Sequence, residues 1–332
     1  DTTDVIGDVD DGSGLVDYTV RISPAGLGQW SILANDAGPV LNDILGELQP
    51  ASFFDGWYDL QLEAVDGGGN VATQTITVEI DSAVKPGAFT VEFVDLVVPV
   101  SGVPIRVTRA YDSRERNLVG DFGYGWRVDT NSARISKNVP EGDGQCWSNV
   151  QVSSQWGIPD YQLQATRDPE VHVDFGAGLP HEFDFGLSPD TQTLYPWGPF
   201  YPTSPTYSNS NDTNSSFTQG VGELTSVEFD GNCYLVDDFI AANIYDPERY
   251  ELTMEDGTWV DLSATDGILE LIDPSGNQVI FDSTGITHSA GVSAIYARDG
   301  QDRITTITDP NGDVITYGYD AAGNLAEVTD RN

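Results

Sequence analysis

The chain has 332 residues, 39% of them hydrophobic, with 53 Asp plus Glu against 14 Lys plus Arg and a formal net charge of −39. Such a surface repels nucleic-acid phosphates and anionic membranes, and no apolar run is long enough to span a bilayer, so nucleic acid and membrane insertion are excluded for this segment. With 35 Gly, 18 Pro and a single Met, and with many Thr, Val, Ile and Tyr, the composition favours an all-β chain of two or three domains, rich in turns.

Residues 1–82 read as one β-sandwich. Tyr18, Val20 and Ile22 alternate with Thr19 and Arg21, and Tyr58, Leu60, Leu62 and Ala64 alternate with Asp59, Gln61 and Glu63. The turn Asp66-Gly-Gly-Gly-Asn70 follows, then Ala72, Ile76, Val78 and Ile80 on one face with threonines opposite. Two alternating runs about a glycine-rich turn predict a hairpin with one buried face. Gly56-Trp-Tyr58-Asp-Leu60 resembles the strand opening of an immunoglobulin or fibronectin type III domain, with Tyr58 as its corner tyrosine. From Ala37 to Leu48, Val40, Leu41, Ile44, Leu45 and Leu48 share a helical face, and the spacing predicts one short helix. The loop Asp8-Val-Asp10-Asp11-Gly12 gathers three carboxylates beside glycine. Asp8, Asp10 and Asp11 offer the hard oxygen ligands calcium takes, although no glutamate closes an EF-hand loop; a solvated acidic turn is the alternative.

Asp81 to Gly87 reads as a linker, and residues 83–135 as a set of opening strands, with Phe89, Val91, Phe93, Leu96, Val97 and Val98 as apolar positions. Residues 136–249 lack a clear repeat pattern and read as an irregular, β-rich insertion or plug. Trp147, Trp156, Trp197 and four prolines between 196 and 205 suit loops that wrap a sheet, and the polar run from Ser208 to Ser216 reads as a mobile surface loop. Cys146 and Cys233 lie near the two ends of this segment. One disulfide between them would staple the part of the chain with the least obvious core.

Strand signals return over residues 250–332. Asp273-Pro-Ser-Gly-Asn277 and Asp309-Pro-Asn-Gly-Asp313 are turns between alternating runs. The run from Tyr296 to Asp309 lies in register over that from Tyr317 to Asp330, with Ile304 and Ile307 falling on Leu325 and Val328. A fixed period with matched apolar positions marks a repeat in which each unit buries its face against its neighbours. The motif Tyr319-Asp-Ala-Ala-Gly323-Asn-Leu325-Ala-Glu-Val328-Thr-Asp330 resembles the YD repeat of the RHS family. Gly102-Val-Pro-Ile-Arg-Val-Thr-Arg109-Ala-Tyr111-Asp-Ser113 and Gly120-Asp-Phe-Gly123-Tyr-Gly125-Trp126 are similar to the opening of an RHS region. The resemblance spans roughly residues 85–332. It implies a β-sheet spiral that closes into a hollow shell, related to the shells of teneurins and toxin complexes, in a toxin-delivery or intercellular-competition setting.

The serine-hydrolase elbow, the phosphate loop and the zinc helix motif are absent from the sequence. His172, His181 and His288 have no recognisable ligand spacing. Tyr296, Tyr317 and Tyr319 recur with the repeat and read as cross-strand packing residues, with a sugar-binding face as the alternative. The reading is therefore a non-enzymatic structural scaffold, secreted or at the cell surface. It is the N-terminal portion of an encapsulating shell, needs no cofactor beyond the calcium alternative, and partners the rest of its own shell or other protein chains. A cell-surface adhesin or carbohydrate-binding module that engages surface glycans is the second reading. The chain begins inside a domain-like sequence and stops inside a repeat, which suits a piece of a longer protein.

Overall fold

The structure is a computed structural model that describes residues 2–10, 12, 16–25, 28–54, 56–80, 89–129, 133–143, 147–155, 158–175, 181–189, 191–193, 203–210, 214–219, 224–229, 232–238 and 243–331. These residues form antiparallel strands and two short 3₁₀ turns, with no α-helix among them. The protein is all-β, as its composition required.

Six strands build the N-terminal part: β1 (Thr3–Val9), β2 (Val16–Pro24), β3 (Ser31–Ala37), β4 (Val40–Leu48), β5 (Gly56–Asp66) and β6 (Val71–Ile80). One sheet pairs β1 with β4 and the other runs β3-β2-β5-β6. Val9, Leu45 and Leu48 of the first meet Tyr18, Val20, Ile22, Tyr58, Leu60 and Ile80 of the second in one buried cluster. The β5–β6 hairpin turns at Asp66–Asn70 as read from sequence. Its far end lacks cover, so Ile76 stays 51% exposed, because a two-stranded sheet is too narrow to shield it.

The short helix expected over Ala37–Leu48 does not form. Val40–Leu48 pairs with β1 through two register shifts, and Asn42 takes a positive φ of 48°. Leu45 and Leu48 point into the core while Leu41 and Ile44 face outward. A bulged strand shifts its side-chain phase, and that shift imitated helical spacing.

Two further strands, β7 (Thr90–Val98) and β8 (Ile105–Asp112), pair with each other, and Trp126–Val128 pairs with the other edge of β8. Arg134–Lys137, Glu170–Asp174, His181–Ser188 and Ser204–Asn209 form a four-stranded sheet. Ser208 and Asn209 thus belong to a strand rather than a loop, because they pair with Asp184 and Phe183. The largest sheet has ten strands. Ser216–Thr218 leads at one edge, then nine strands from Arg249–Thr253 to Leu325–Thr329 follow in chain order, each antiparallel to the last.

The ten-stranded sheet buries one face. Leu252, Val260, Leu262, Val279, Ile286, Ile304, Ile307 and Ile315 pack in one cluster with Leu96, Ile105 and Val107 of β7–β8, Phe122 and Val128, and with Val171, Val173 and Phe183. The opening strands and the middle segment therefore cover the inner face of the repeat sheet. At about 25 cal/mol per Å² of apolar surface removed from water, this cluster dominates the stability of the molecule.

Candidate functional site

The two glycine-rich motifs of the opening segment dock onto turns of the ten-stranded sheet. Gly102, at φ +79°, packs so closely on the turn Asp273–Asn277 that a Cβ would lie 2.3 Å from the Asp273 and Asn277 side chains. Gly123, at φ +89°, sits against the turn Asp320–Asn324, where a Cβ would lie 2.5 Å from the Gly323 carbonyl oxygen. Both positions combine a left-handed backbone with a close approach that only glycine permits.

Between these contacts lies a polar knot. Arg109 on β8 makes a two-armed ion pair with Asp95 on β7, Nε donating to Oδ2 at 2.9 Å and Nη2 to Oδ1 at 3.1 Å. Tyr317 of the sheet donates its hydroxyl to the same Asp95 Oδ2 at 2.7 Å, and its ring packs on Phe122 with centroids 4.7 Å apart. Burial, and then the Asp95 carboxylate, push the Tyr317 hydroxyl far above its ordinary pKa, so it stays a donor. The Arg109 guanidinium lies over Phe93, Trp126 and Tyr317, at 4.9, 5.1 and 5.9 Å from their ring centres. Asp121 adds a second link, accepting from Val128 N at 2.9 Å and Arg298 Nη2 at 2.8 Å, while Ile304 N donates to its carbonyl at 2.7 Å.

The repeat tyrosines are packing residues here. Tyr296 and Tyr317 are buried, and Tyr319 donates its hydroxyl to the Ile304 carbonyl beneath the Arg303 guanidinium. Burial lifts the Tyr319 hydroxyl to about 12.

A second buried polar group, which the sequence reading missed, joins the middle segment to the sheet. Glu141 is fully buried. It accepts from Tyr250 Oη at 2.7 Å and Tyr207 Oη at 3.4 Å, and pairs with Lys137 Nζ at 3.2 Å. Its backbone carbonyl takes the Trp147 indole N–H at 2.6 Å. Tyr207 and Tyr245 share a hydrogen bond at 3.1 Å, and Tyr245 donates to Gln219 at 2.9 Å. Burial raises the Glu141 carboxyl above its ordinary pKa; Lys137 and Tyr250 pull it back. Lys137 also reaches Asp246 Oδ1 at 2.5 Å and the Pro247 carbonyl at 2.8 Å.

The sequence-predicted ligands are dispersed. Asp8 accepts from Asn42 N at 2.5 Å and Asp10 from Gly12 N at 2.9 Å, while Asp11 lies outside the described residues. Their carboxylates thus serve a strand contact and a tight turn. His172 neighbours Glu170 at 3.9 Å and Trp57, His181 meets the Ser215 hydroxyl at 3.0 Å, and His288 is buried on Gly285–His288 with Nδ1 accepting from Ala290 N at 2.9 Å. Among the described residues, no three His, Cys, Asp or Glu side chains gather at metal-binding distance. Cys233 is buried in a cluster with Trp147, the residue after Cys146; Cys146 itself lies outside the described residues, as do the linker 81–87, Trp156 and Trp197.

Residues 298–332 match the family model described as RHS Repeat. No curated protein matches the chain. The chain therefore carries an RHS repeat at its C-terminal end, laid out as the last three strands of the ten-stranded sheet. RHS repeats belong to structural, surface or toxin-associated proteins in general. No helix of the described residues is long and apolar enough to cross a membrane.

Proposed function

We propose that the protein is a non-enzymatic scaffold, the N-terminal portion of an RHS encapsulating shell, secreted or at the cell surface, in a toxin-delivery or intercellular-competition setting. The observation that carries this reading is the ten-stranded sheet, which grows by one antiparallel strand at a time and, among the described residues, has Leu325–Thr329 as its edge strand. Its inner face is already occupied by the opening strands, through the Gly102 and Gly123 contacts and the Asp95–Arg109–Tyr317 knot. Those contacts make the opening segment a plug that fixes where the sheet starts and how it curves. Repeat architectures stack units without an intrinsic stop, so such an edge accepts further units. The six-stranded N-terminal part acts as an immunoglobulin- or fibronectin-like spacer. It meets the plug where the Phe54 ring lies between the Arg114 and Arg134 guanidinium groups, at 3.6 and 3.2 Å.

The test is electron microscopy of the chain extended by further repeat units. A curved sheet that winds around an internal space is expected, with the added strand paired to Leu325–Thr329. A flat or edge-to-edge stacked sheet would overturn the shell reading.

A further inference from the structure

Only two of the 14 basic residues are lysines, Lys85 and Lys137; the other twelve are arginines. Lys137 is not placed as a surface lysine. Its side chain is 14% exposed and lies beside the fully buried carboxylate of Glu141 and the carboxylate of Asp246. The Tyr250 ring is 5.4 Å from its ammonium, and Glu141 is itself held by the Tyr250 and Tyr207 hydroxyls and, at its carbonyl, by the Trp147 indole. An ordinary ion pair needs one carboxylate. This amine has two, one accessible and one sealed.

We propose that Lys137 and Asp246 join through an isopeptide bond, with Glu141 as the proton carrier. The amine Nζ, as the free base, attacks Cγ of the protonated Asp246 carboxyl, and an N–C bond forms. Glu141 takes the proton released from Nζ and returns it to the departing carboxyl oxygen, which leaves as water. One amine and one carboxylic acid become one amide and one water, with no oxidant, metal or activated donor. The geometry supplies what the step needs. Nζ stands 2.5 Å from Asp246 Oδ1 and 3.2 Å from Glu141 Oε2. Holding reactants at contact distance is worth effective molarities of about 10⁵–10⁸ M. The step uses the neutral amine, the protonated Asp246 carboxyl, and Glu141 as the carboxylate that takes the proton. Asp246 is 44% exposed, which gives the water a route out.

The bond would close the middle segment at its base, since residues 137 and 246 bracket the whole of it. A cross-link over so long a loop removes chain entropy from the unfolded state, as a disulfide does. It would also keep the middle segment in place over the repeat sheet under mechanical or proteolytic stress.

Mass spectrometry decides the matter. The intact, reduced and denatured protein is expected to be lighter than its sequence by the mass of one water. After reduction, a tryptic digest should yield the peptide from residue 135 to 167, uncut at Lys137, joined to the peptide from 168 to 249. Reduction matters because a Cys146–Cys233 disulfide would join the same two peptides. Lys137→Arg, Asp246→Ala and Glu141→Gln should each restore the full mass. Full mass and cleavage after Lys137 in the wild-type protein would overturn the proposal and leave an ion pair. So would a cross-link that persists in Glu141→Gln at the wild-type rate, as far as the role of Glu141 is concerned.

Discussion

In the sheet from Arg249 to Thr329 each strand pairs with the next in sequence, and five of the turns, among them Asp273–Asn277 and Asp320–Asn324, are closed by hydrogen bonds within their own five residues. Between Arg134 and Tyr250, by contrast, Lys137 finds Asp246 and Glu141 finds Tyr250, each 109 residues away. The first region repeats a local solution. The second is held by a few buried polar groups, each of which has several partners. A local solution can be lengthened or shortened without loss of the rest, whereas a long-range knot is formed whole or not at all. The RHS repeat match falls on the first region alone.

The largest effect should come from inside the repeat sheet. Ile307 is fully buried, whereas its repeat counterpart Val328 is 37% exposed on the edge strand of the sheet among the described residues. Ile307→Ala should cost about 2–5 kcal/mol, and Val328→Ala about 0.5 kcal/mol or less. Ile307→Asp should go further and yield aggregated or protease-sensitive protein, while Val328→Asp stays folded. Denaturant melts of the two alanine variants measure the difference. Equal costs would mean that the last repeat is covered in solution by something beyond this chain.

Glu141 tests the other region. Glu141→Ala strands the Tyr250 hydroxyl, leaves Tyr207 only its bond to Tyr245, and removes one of the two carboxylates at Lys137. Breaking a buried pair on one side costs about 3 kcal/mol or more. Hydrogen exchange should show the loss confined to residues 134–250 and the strand Arg249–Thr253, with the hairpins beyond Ile304 still protected. Uniform loss of protection across both regions would show that they do not unfold separately.

The pH response should split the two regions. Asn277, Arg303 and Asn324 side chains donate to Asp273, Asp299 and Asp320, and together with the turn N–H groups they lower those carboxyl pKa values. A depressed folded pKa means that the stabilisation is full above the unfolded value of about 3.9 and is lost as pH falls through the folded value. Glu141 runs the other way. Burial raises its folded pKa, so its contribution is full below the unfolded value of about 4.3 and fades as pH rises through the folded one. On acidification below about pH 4, exchange should accelerate first at the turns of 250–331, while the backbone around Glu141 keeps its protection. Faster exchange at Glu141 first would contradict the assignment of burial as the cause of its shift.

The difference in legibility between the regions has the same origin. Tyr296 over Tyr317 and Asp-Pro-x-Gly turns could be read because the partner of each residue sits nearby, so sequence spacing carries the contact. Glu141 could not be read in this way. It lies in Pro-Glu-Gly-Asp, which has the look of a surface turn, and its partners Tyr207 and Tyr250 are far along the chain. The available signal was compositional: one of only two lysines in a strongly acidic chain stands four residues before a glutamate. The helix expected at Ala37–Leu48 failed for the related reason that the pairing with β1, remote in sequence, set its conformation. The Arg109–Asp95–Tyr317 knot was half visible, since Arg109 and Tyr317 both lay in motifs, but their meeting at Asp95 is a tertiary fact.

The smallest effect should come from a single turn, and it asks whether the local solution is as autonomous as it looks. In Asp320–Asn324 the Asp320 carboxylate accepts from Ala322 N and Asn324 N, each at 2.9 Å, and Asn324 Nδ2 returns to it at 3.0 Å. Asp66–Asn70 and Asp273–Asn277 repeat the arrangement, with Oδ1 accepting from backbone N–H groups two and four residues on, so the motif serves both the N-terminal sheet and the repeat. Gly323 takes the left-handed position at φ +92°. Asp320→Asn keeps an oxygen to accept the backbone N–H groups and should lower the melting temperature only slightly, whereas Asp320→Ala loses both bonds and should lower it more. Because Gly123 packs on this turn, the alanine variant should also speed exchange around Gly123 and Tyr124 in the opening segment. The same change at Asp66 has no such contact to disturb among the described residues and should stay local. If Asp320→Ala left the opening segment untouched, the turn and the plug would be neighbours without energetic coupling.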